Sequence, residues 1–296
     1  MTGRRAHSLE ELQSLMGKMF DPEAFSNARP LEIRPTDVVI TPFAKSGTTW
    51  LQQMVHTLRT RGDMDFDDIS RVVPWIETSP MLGIDINAEQ RAEPRAFKSH
   101  LEFEQLPAGG KYINSVRDPR DALYSNYKFM EGWFMEPGTI SLADFASKRY
   151  IADGGYWRHL KSWWQVREQD NVLFLCYELM QKDITATIQS VAQFIGVSLD
   201  DELLALTQQQ TSIGFMKQHQ DRFDDAMMRQ LSEDKAGLPP GSDSSKVRTG
   251  TVGDHQKNLP PDILDALEQT WEKEIKPVTG CANYAELVSK LESETA

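Results

Sequence analysis

Two cysteines in 296 residues, Cys176 and Cys281, are too few and too far apart for a disulfide framework or a Cys-based zinc site. That usage fits a reducing compartment. No apolar run approaches the roughly 20 residues needed to cross a bilayer, and Glu10, Glu11 and Gln13 interrupt the N-terminal stretch where a secretory leader would be apolar. Positive charge is also in short supply: 32 Lys and Arg stand against 44 Asp and Glu, a formal net charge of -12. Such a surface repels a phosphate backbone unless cations are gathered locally. The expectation is a cytoplasmic protein with neither a membrane nor a nucleic acid as partner, in which a local anion pocket is still allowed.

What is present is an ordinary globular composition, 40% hydrophobic, 9% aromatic and 26% charged. Val38, Val39 and Ile40 form a short β-branched run followed by a turn and then by Leu51, Met54, Val55 and Leu58, spaced as one face of a helix. A second short strand is predicted at 95–99. Tyr112, Ile113, Asn114, Ser115 and Val116 read as a third, with Asp118 and Pro119 as the cap and first turn of another helix. The run 172–177, apolar on both faces, predicts a central parallel strand, and Ile184, Ile188, Val191 and Ile195 mark the helix after it. Alternating strands and helices argue for a single α/β domain over 1–296, a mostly parallel sheet flanked by helices. Residues 232–246, rich in Ser, Gly, Pro and Asp, predict a long exposed, mobile loop of the kind that forms lids. A last helix at 262–276 is predicted to turn Leu264, Leu267, Trp271 and Ile275 inward.

The segment from Val38 to Trp50 carries the strongest chemical signal. A strand feeding a tight turn and a helix aims backbone N–H groups and the positive helix end at one point, an arrangement suited to phosphate, and Lys45 adds a full charge. The kinase and GTPase loop requires two glycines before its lysine. Here the lysine precedes Gly47, so ATP chemistry is not the natural reading.

Lys45-Ser46-Gly47-Thr48-Thr49-Trp50 resembles the signature loop of the cytosolic-type sulfotransferases, which binds the 5′ end of 3′-phosphoadenosine 5′-phosphosulfate (PAPS). Further segments resemble that family in order: Lys98-Ser99-His100, the motif with the catalytic histidine; Arg117-Asp118-Pro119-Arg120-Asp121 with Ser125, the 3′-phosphate motif; and Tyr177-Glu178, the Tyr-Glu pair after the central strand. Thr211-Ser212 with Met216, and Arg248-Thr249-Gly250 followed by Gly253-Asp254 and Lys257-Asn258, complete the set. Departures are Phe43-Ala44 for a usual Tyr-Pro, Ile213 for a frequent aromatic, Thr249 for a lysine and His255 for a tryptophan.

The resemblance implies sulfuryl transfer from PAPS to a hydroxyl or amine of a small-molecule acceptor, leaving adenosine 3′,5′-bisphosphate. Phosphoryl transfer supplies the analogy: little covalent work falls to the protein, and positioning plus charge stabilisation carry the catalysis. Lys45 is expected to stabilise the leaving phosphate oxygen, His100 to act as general base, and Lys98 to share charge on the sulfuryl group. No metal is required. Ser46, Gly47, Thr48, Thr49, Trp50, Arg117, Ser125, Tyr177, Thr211, Arg248, Thr249 and Gly250 are the expected nucleotide contacts. A salt bridge from Arg117 to Asp121 is the structural alternative for that arginine, and core packing the alternative for Trp50. The competing functions are a non-catalytic nucleotide-binding module and a P-loop kinase. Phe66, Trp75, Phe103, Trp133 and Phe134 fall in apparent loops and are candidates for an apolar acceptor pocket. Acceptor identity and oligomeric state stay open.

Overall fold

Strand β1 (Val38–Ile40) sends Val38 and Ile40 into one apolar cluster and Val39 into another, the two-residue alternation of an extended chain. In the computed structural model, which describes residues 3–248 and 250–295, β1 pairs with β2 (Ala96–Lys98) on one side and β3 (Lys111–Val116) on the other. Strand β4 (Val172–Cys176) pairs with β3, giving an all-parallel sheet in the order β2-β1-β3-β4. Parallel strands need crossovers, which place helices on both faces. Helices Thr48–Thr60 and Ile184–Ile195 cover one face, with Leu51, Met54, Val55 and Leu58 all buried as the spacing predicts. Helices Pro119–Trp133, Gly155–Val166 and Pro261–Glu274 build the larger cluster on the other. Trp157, Trp163 and Trp164 pack inside the molecule.

Four expectations are corrected. Strand β4 lies at the sheet edge rather than its centre, and Tyr177 already begins the helix Tyr177–Lys182. It is apolar on both faces because both are covered: Leu173 and Leu175 pack towards one cluster, Phe174 and Cys176 towards another. In the helix Pro261–Glu274, Ile263 is buried with Leu267 and Trp271, while Leu264 is only half-buried.

Residues 232–246 are not a uniformly exposed loop. Ser232–Ala236 prolongs the helix Ala226–Leu231 by a wide turn, and Ser232, Ala236, Leu238, Ser242 and Ser244 are buried. The Trp133 indole donates to Ser232 Oγ at 3.0 Å, and the Asp243 amide donates to the Gly132 carbonyl at 3.1 Å. A Cβ at Gly132 would stand 2.7 Å from the Asp243 carbonyl oxygen, so glycine permits this approach. The segment is held by these polar contacts together with Ala236 and Leu238, which join the larger apolar cluster without any regular spacing. Finally, Trp133 ends the helix Pro119–Trp133, and it, Phe134 and Phe66 are core residues; of the five candidate aromatics, Trp75 alone lines the main cavity.

Candidate active site

The turn after β1 is fixed from several sides before its charged groups come into play. The Thr41 carbonyl accepts from Asn114 Nδ2 at 2.8 Å and from His159 Nε2 at 2.8 Å, and the Thr41 amide donates to the Ile113 carbonyl. Burial pushes the His159 imidazole down to about 4, so it stays a neutral donor. Lys45 and Gly47 both adopt positive φ, 69° and 99°. A Cβ at Gly47 would meet the Tyr177 ring at 3.1 Å and Ser115 Oγ at 3.4 Å, so the position suits glycine in both conformation and space. Gly47 caps the helix Thr48–Thr60, whose first N–H groups have no carbonyl within the helix to bond.

This turn forms one wall of a cavity of about 680 Å³. Lys45, Gly47, Thr48, Thr49, Trp50, Lys98, His100, Arg117, Ser125, Tyr177, Thr211, Arg248 and Gly250 all line it, so segments spread over 200 positions of sequence meet at one place. Ser46 sits behind the turn, its side chain buried and its carbonyl accepting from Ser115 Oγ. Thr249 lies outside the described residues. Trp50 serves both readings: half-buried, it packs edge-on to Tyr177 at 5.6 Å and also faces the cavity.

At one end, Arg117 stacks over the Tyr177 ring at 4.3 Å, donates to the Lys45 carbonyl at 3.0 Å and to the Thr251 carbonyl at 3.1 Å. Asp121 lies 3.9 Å from its guanidinium but is engaged more closely elsewhere. Its carboxylate accepts from the Gly253 amide at 2.7 Å, the His255 amide at 3.1 Å and His255 Nδ1 at 2.7 Å. Burial works against ionisation there, yet the His255 and backbone donors hold the Asp121 carboxyl below its usual value. This tie docks the chain after Gly250 onto the helix Pro119–Trp133 and brings Arg248, paired with Asp254 at 2.6 Å, to the cavity. Glu178 is likewise a scaffold: it accepts from the Asp118 amide at 3.2 Å and from the Tyr284 hydroxyl at 2.5 Å.

At the other end, His100 Nδ1 lies 2.7 Å from the Pro42 carbonyl oxygen. A carbonyl only accepts, so Nδ1 carries the proton and Nε2 keeps a free lone pair. Burial, then the charges of Lys98 and Lys246, hold the imidazole well below its ordinary value. The Lys98 side chain is buried with its ammonium 3.6 Å above the Trp75 ring. Burial, with Lys246 nearby, brings Lys98 down to about 7; burial, then Lys246, Arg117 and Arg248, do the same to Lys45.

Sequence reasoning missed Asp225, Lys246, Phe129, Arg149 and Gln181, which also line the cavity. Lys246 pairs with Asp225, the one carboxylate among the lining residues, against six Lys and Arg side chains. A protein of net charge -12 thus concentrates positive charge at one cavity. Among the described residues Arg117 Nε, Arg248 Nε and Trp50 Nε1 are buried without a hydrogen-bond partner, and unmet donors beside several cations fit an anionic nucleotide.

Residues 35–279 match the model of the sulfotransferase domain. Sulfotransferase 1C2 of Oryctolagus cuniculus is 29% identical over 263 residues, covering 84% of this chain and 86% of the relative. Sulfotransferase 1E1 of Bos taurus is 29% identical over 271 residues, covering 87% and 89%. Among solved structures, retinol dehydratase in complex with retinol and PAP shares the fold with a TM-score of 0.70 at 20% identity, over 92% of this chain and 96% of that one. The matched domain spans most of the chain and contains every cavity-lining residue but Met16, and the chain therefore belongs to the sulfotransferase family, the enzymes that transfer a sulfuryl group from PAPS.

Proposed function

We propose that the cavity transfers the sulfuryl group of PAPS to a hydroxyl of a small, largely apolar acceptor, with His100 as general base. The observation that carries this reading is the fixed tautomer of His100, whose Nε2 lone pair is left for an incoming O–H. The acceptor oxygen bonds to sulfur, its proton passes to Nε2, and the bond from sulfur to the bridging phosphate oxygen breaks. Lys45 stabilises the charge that appears on that oxygen, and Lys98 the sulfuryl oxygens. Arg117, Ser125 and Arg248 hold the 3′-phosphate; Thr48, Thr49 and the turn amides hold the 5′-phosphate; Trp50, Tyr177, Thr211 and Gly250 enclose the nucleoside. The product nucleotide is adenosine 3′,5′-bisphosphate.

Trp75, Phe129, Met130 and Met16 supply the apolar lining nearest to what an acceptor body requires. The retinol held by the structural relative is an alcohol of that character. Among the described residues no helix is long and apolar enough to cross a membrane, and the cytoplasm is our reading of the compartment. Incubation with radiolabelled PAPS and a panel of phenols, aliphatic alcohols and amines tests the reaction. Label is expected in at least one hydroxyl acceptor. Tight nucleotide binding with no labelled product from any acceptor would instead favour a non-catalytic binding module.

A further inference from the structure

Three ammonium groups, Lys45, Lys98 and Lys246, share this cavity with the single carboxylate of Asp225. Their placement is built. Asp225 is fully buried and caps the helix Ala226–Leu231 in a left-handed conformation, φ 54°, uncommon for a residue with a side chain. Its carboxylate pairs with Lys246, whose side chain is only 10% exposed. The ammonium of Lys98 lies 3.6 Å from the Trp75 ring centroid and that of Lys246 5.9 Å from the same centroid, so one indole carries both.

Like charges gathered in a partly desolvated space repel one another, and the arrangement is costly until an anion enters. Once Lys45 and Lys98 are recharged by the incoming anion, three ammoniums and one carboxylate leave two positive charges in excess. A phosphosulfate carries two negative charges, one on the phosphoryl and one on the sulfuryl group. We propose that Lys246, positioned by Asp225, is a third catalytic ammonium that contacts the phosphosulfate together with Lys45 and Lys98. This inference rests on the sulfuryl-transfer reading above. Lys246 stays on the enzyme with its charge unchanged through the reaction; it exchanges part of its pairing with Asp225 for the oxygens that gain charge as the bond to sulfur breaks.

The groups facing Lys98 are Lys246 from the chain after residue 245, Asp225 from the helix cap, Glu77 from the turn after Trp75, and His100 two residues on. Lys246 depresses the ionisation of Lys98 and Asp225 raises it. Their opposite effects make an uncommon prediction for two partners of one ion pair: Lys246→Met moves the alkaline limb of kcat/KM for PAPS to higher pH, and Asp225→Asn moves it to lower pH. Those shifts report the proximity of the pair to Lys98, and the fall in kcat at saturating PAPS is what separates contact with the phosphosulfate from a merely structural pair. Lys246→Met is further expected to lower kcat at saturating PAPS by ten-fold or more, with Lys246→Arg retaining more activity than Lys246→Met. The melting shift given by adenosine 3′,5′-bisphosphate, which lacks the sulfuryl group, serves as the check that each variant is folded.

Proton uptake on binding PAPS at pH 7.5, measured by calorimetry in buffers of different ionisation enthalpy, needs no turnover. Wild type is expected to take up protons as Lys45 and Lys98 recharge, and Lys246→Met fewer. Equal uptake by the two proteins, or wild-type kcat and an unmoved limb in Lys246→Met, would overturn the role of Lys246 alone. Absence of any transfer by wild type, with the difference in uptake intact, would overturn the reaction and leave standing only the electrostatic coupling of Lys246 to Lys45 and Lys98.

Discussion

The imidazole of His100 points its protonated Nδ1 at the carbonyl oxygen of Pro42, 2.7 Å away. Pro42 belongs to the same turn that presents Lys45, so the proposed base and the proposed leaving-group cation are registered to one piece of backbone. His100→Ala is expected to lower kcat by roughly 10²–10⁴-fold while the melting shift given by adenosine 3′,5′-bisphosphate stays at its wild-type value. Turnover within a few-fold of wild type would remove His100 from the chemistry.

The pH profile follows from two depressed lysines and a depressed histidine. Lys45 and Lys98 lie at about 7 in the free cavity and act as cations, so kcat/KM for PAPS should fall as pH rises through about 7. That limb reports the free enzyme; bound phosphosulfate favours the charged ammoniums and shifts the limb of kcat to higher pH. His100, the proposed neutral base, is held well below 6.5 in the free cavity, so lowering the pH from 7.5 to 6.5 should not reduce kcat/KM. Initial rates from pH 5.5 to 9.5 check both signs.

Nucleotide selectivity tests the other end of the cavity. If Arg117, Ser125 and Arg248 converge on a 3′-phosphate, each charge-assisted bond contributes about 1.5–3 kcal/mol. Adenosine 3′,5′-bisphosphate should then raise Tm well above the value reached with adenosine 5′-monophosphate at equal concentration. Arg117→Ala should collapse that difference. Equal responses of the wild-type protein to the two nucleotides would show that the 3′-phosphate is bound elsewhere.

Gly132 offers a test of how residues 232–246 are held. Gly132→Val places carbon against the Asp243 carbonyl, and limited proteolysis within 239–245 is expected to quicken several-fold. In the wild type, adenosine 3′,5′-bisphosphate should slow the same cleavage, since Lys246 and Arg248 follow directly. Cleavage at one rate with and without nucleotide would separate this segment from the site.

The parallel strands, the helix after β1 and the cavity-lining members of the signature segments were legible because each is short-range: Val38 to Ile40 alternate, Leu51 to Leu58 keep helical spacing, and Lys45 stands beside Gly47 in sequence as in space. Lys246 and Asp225 were not, since neither belongs to a periodic face and their pairing spans 21 positions through a left-handed helix cap. The edge position of β4 was hidden for a related reason. Phe174 and Leu175 are as apolar as central-strand residues because helices cover both sides, and composition reports covering, not hydrogen-bonded neighbours. Asp121 read as a possible salt-bridge partner of Arg117, whereas its closest partners, Gly253 and His255, lie more than 130 positions away.

Arg117 donates to the carbonyl of Lys45 with one nitrogen and to that of Thr251 with another. The guanidinium proposed to meet the 3′-phosphate therefore also clamps the backbone of the turn proposed to meet the 5′-phosphate. The two ends of the nucleotide site behave as the jaws of a caliper whose opening is set by one side chain. On that proposal a ligand with correct groups at the wrong separation would be refused even where each phosphate alone would fit, and a change at Arg117 would alter the gauge as well as the grip.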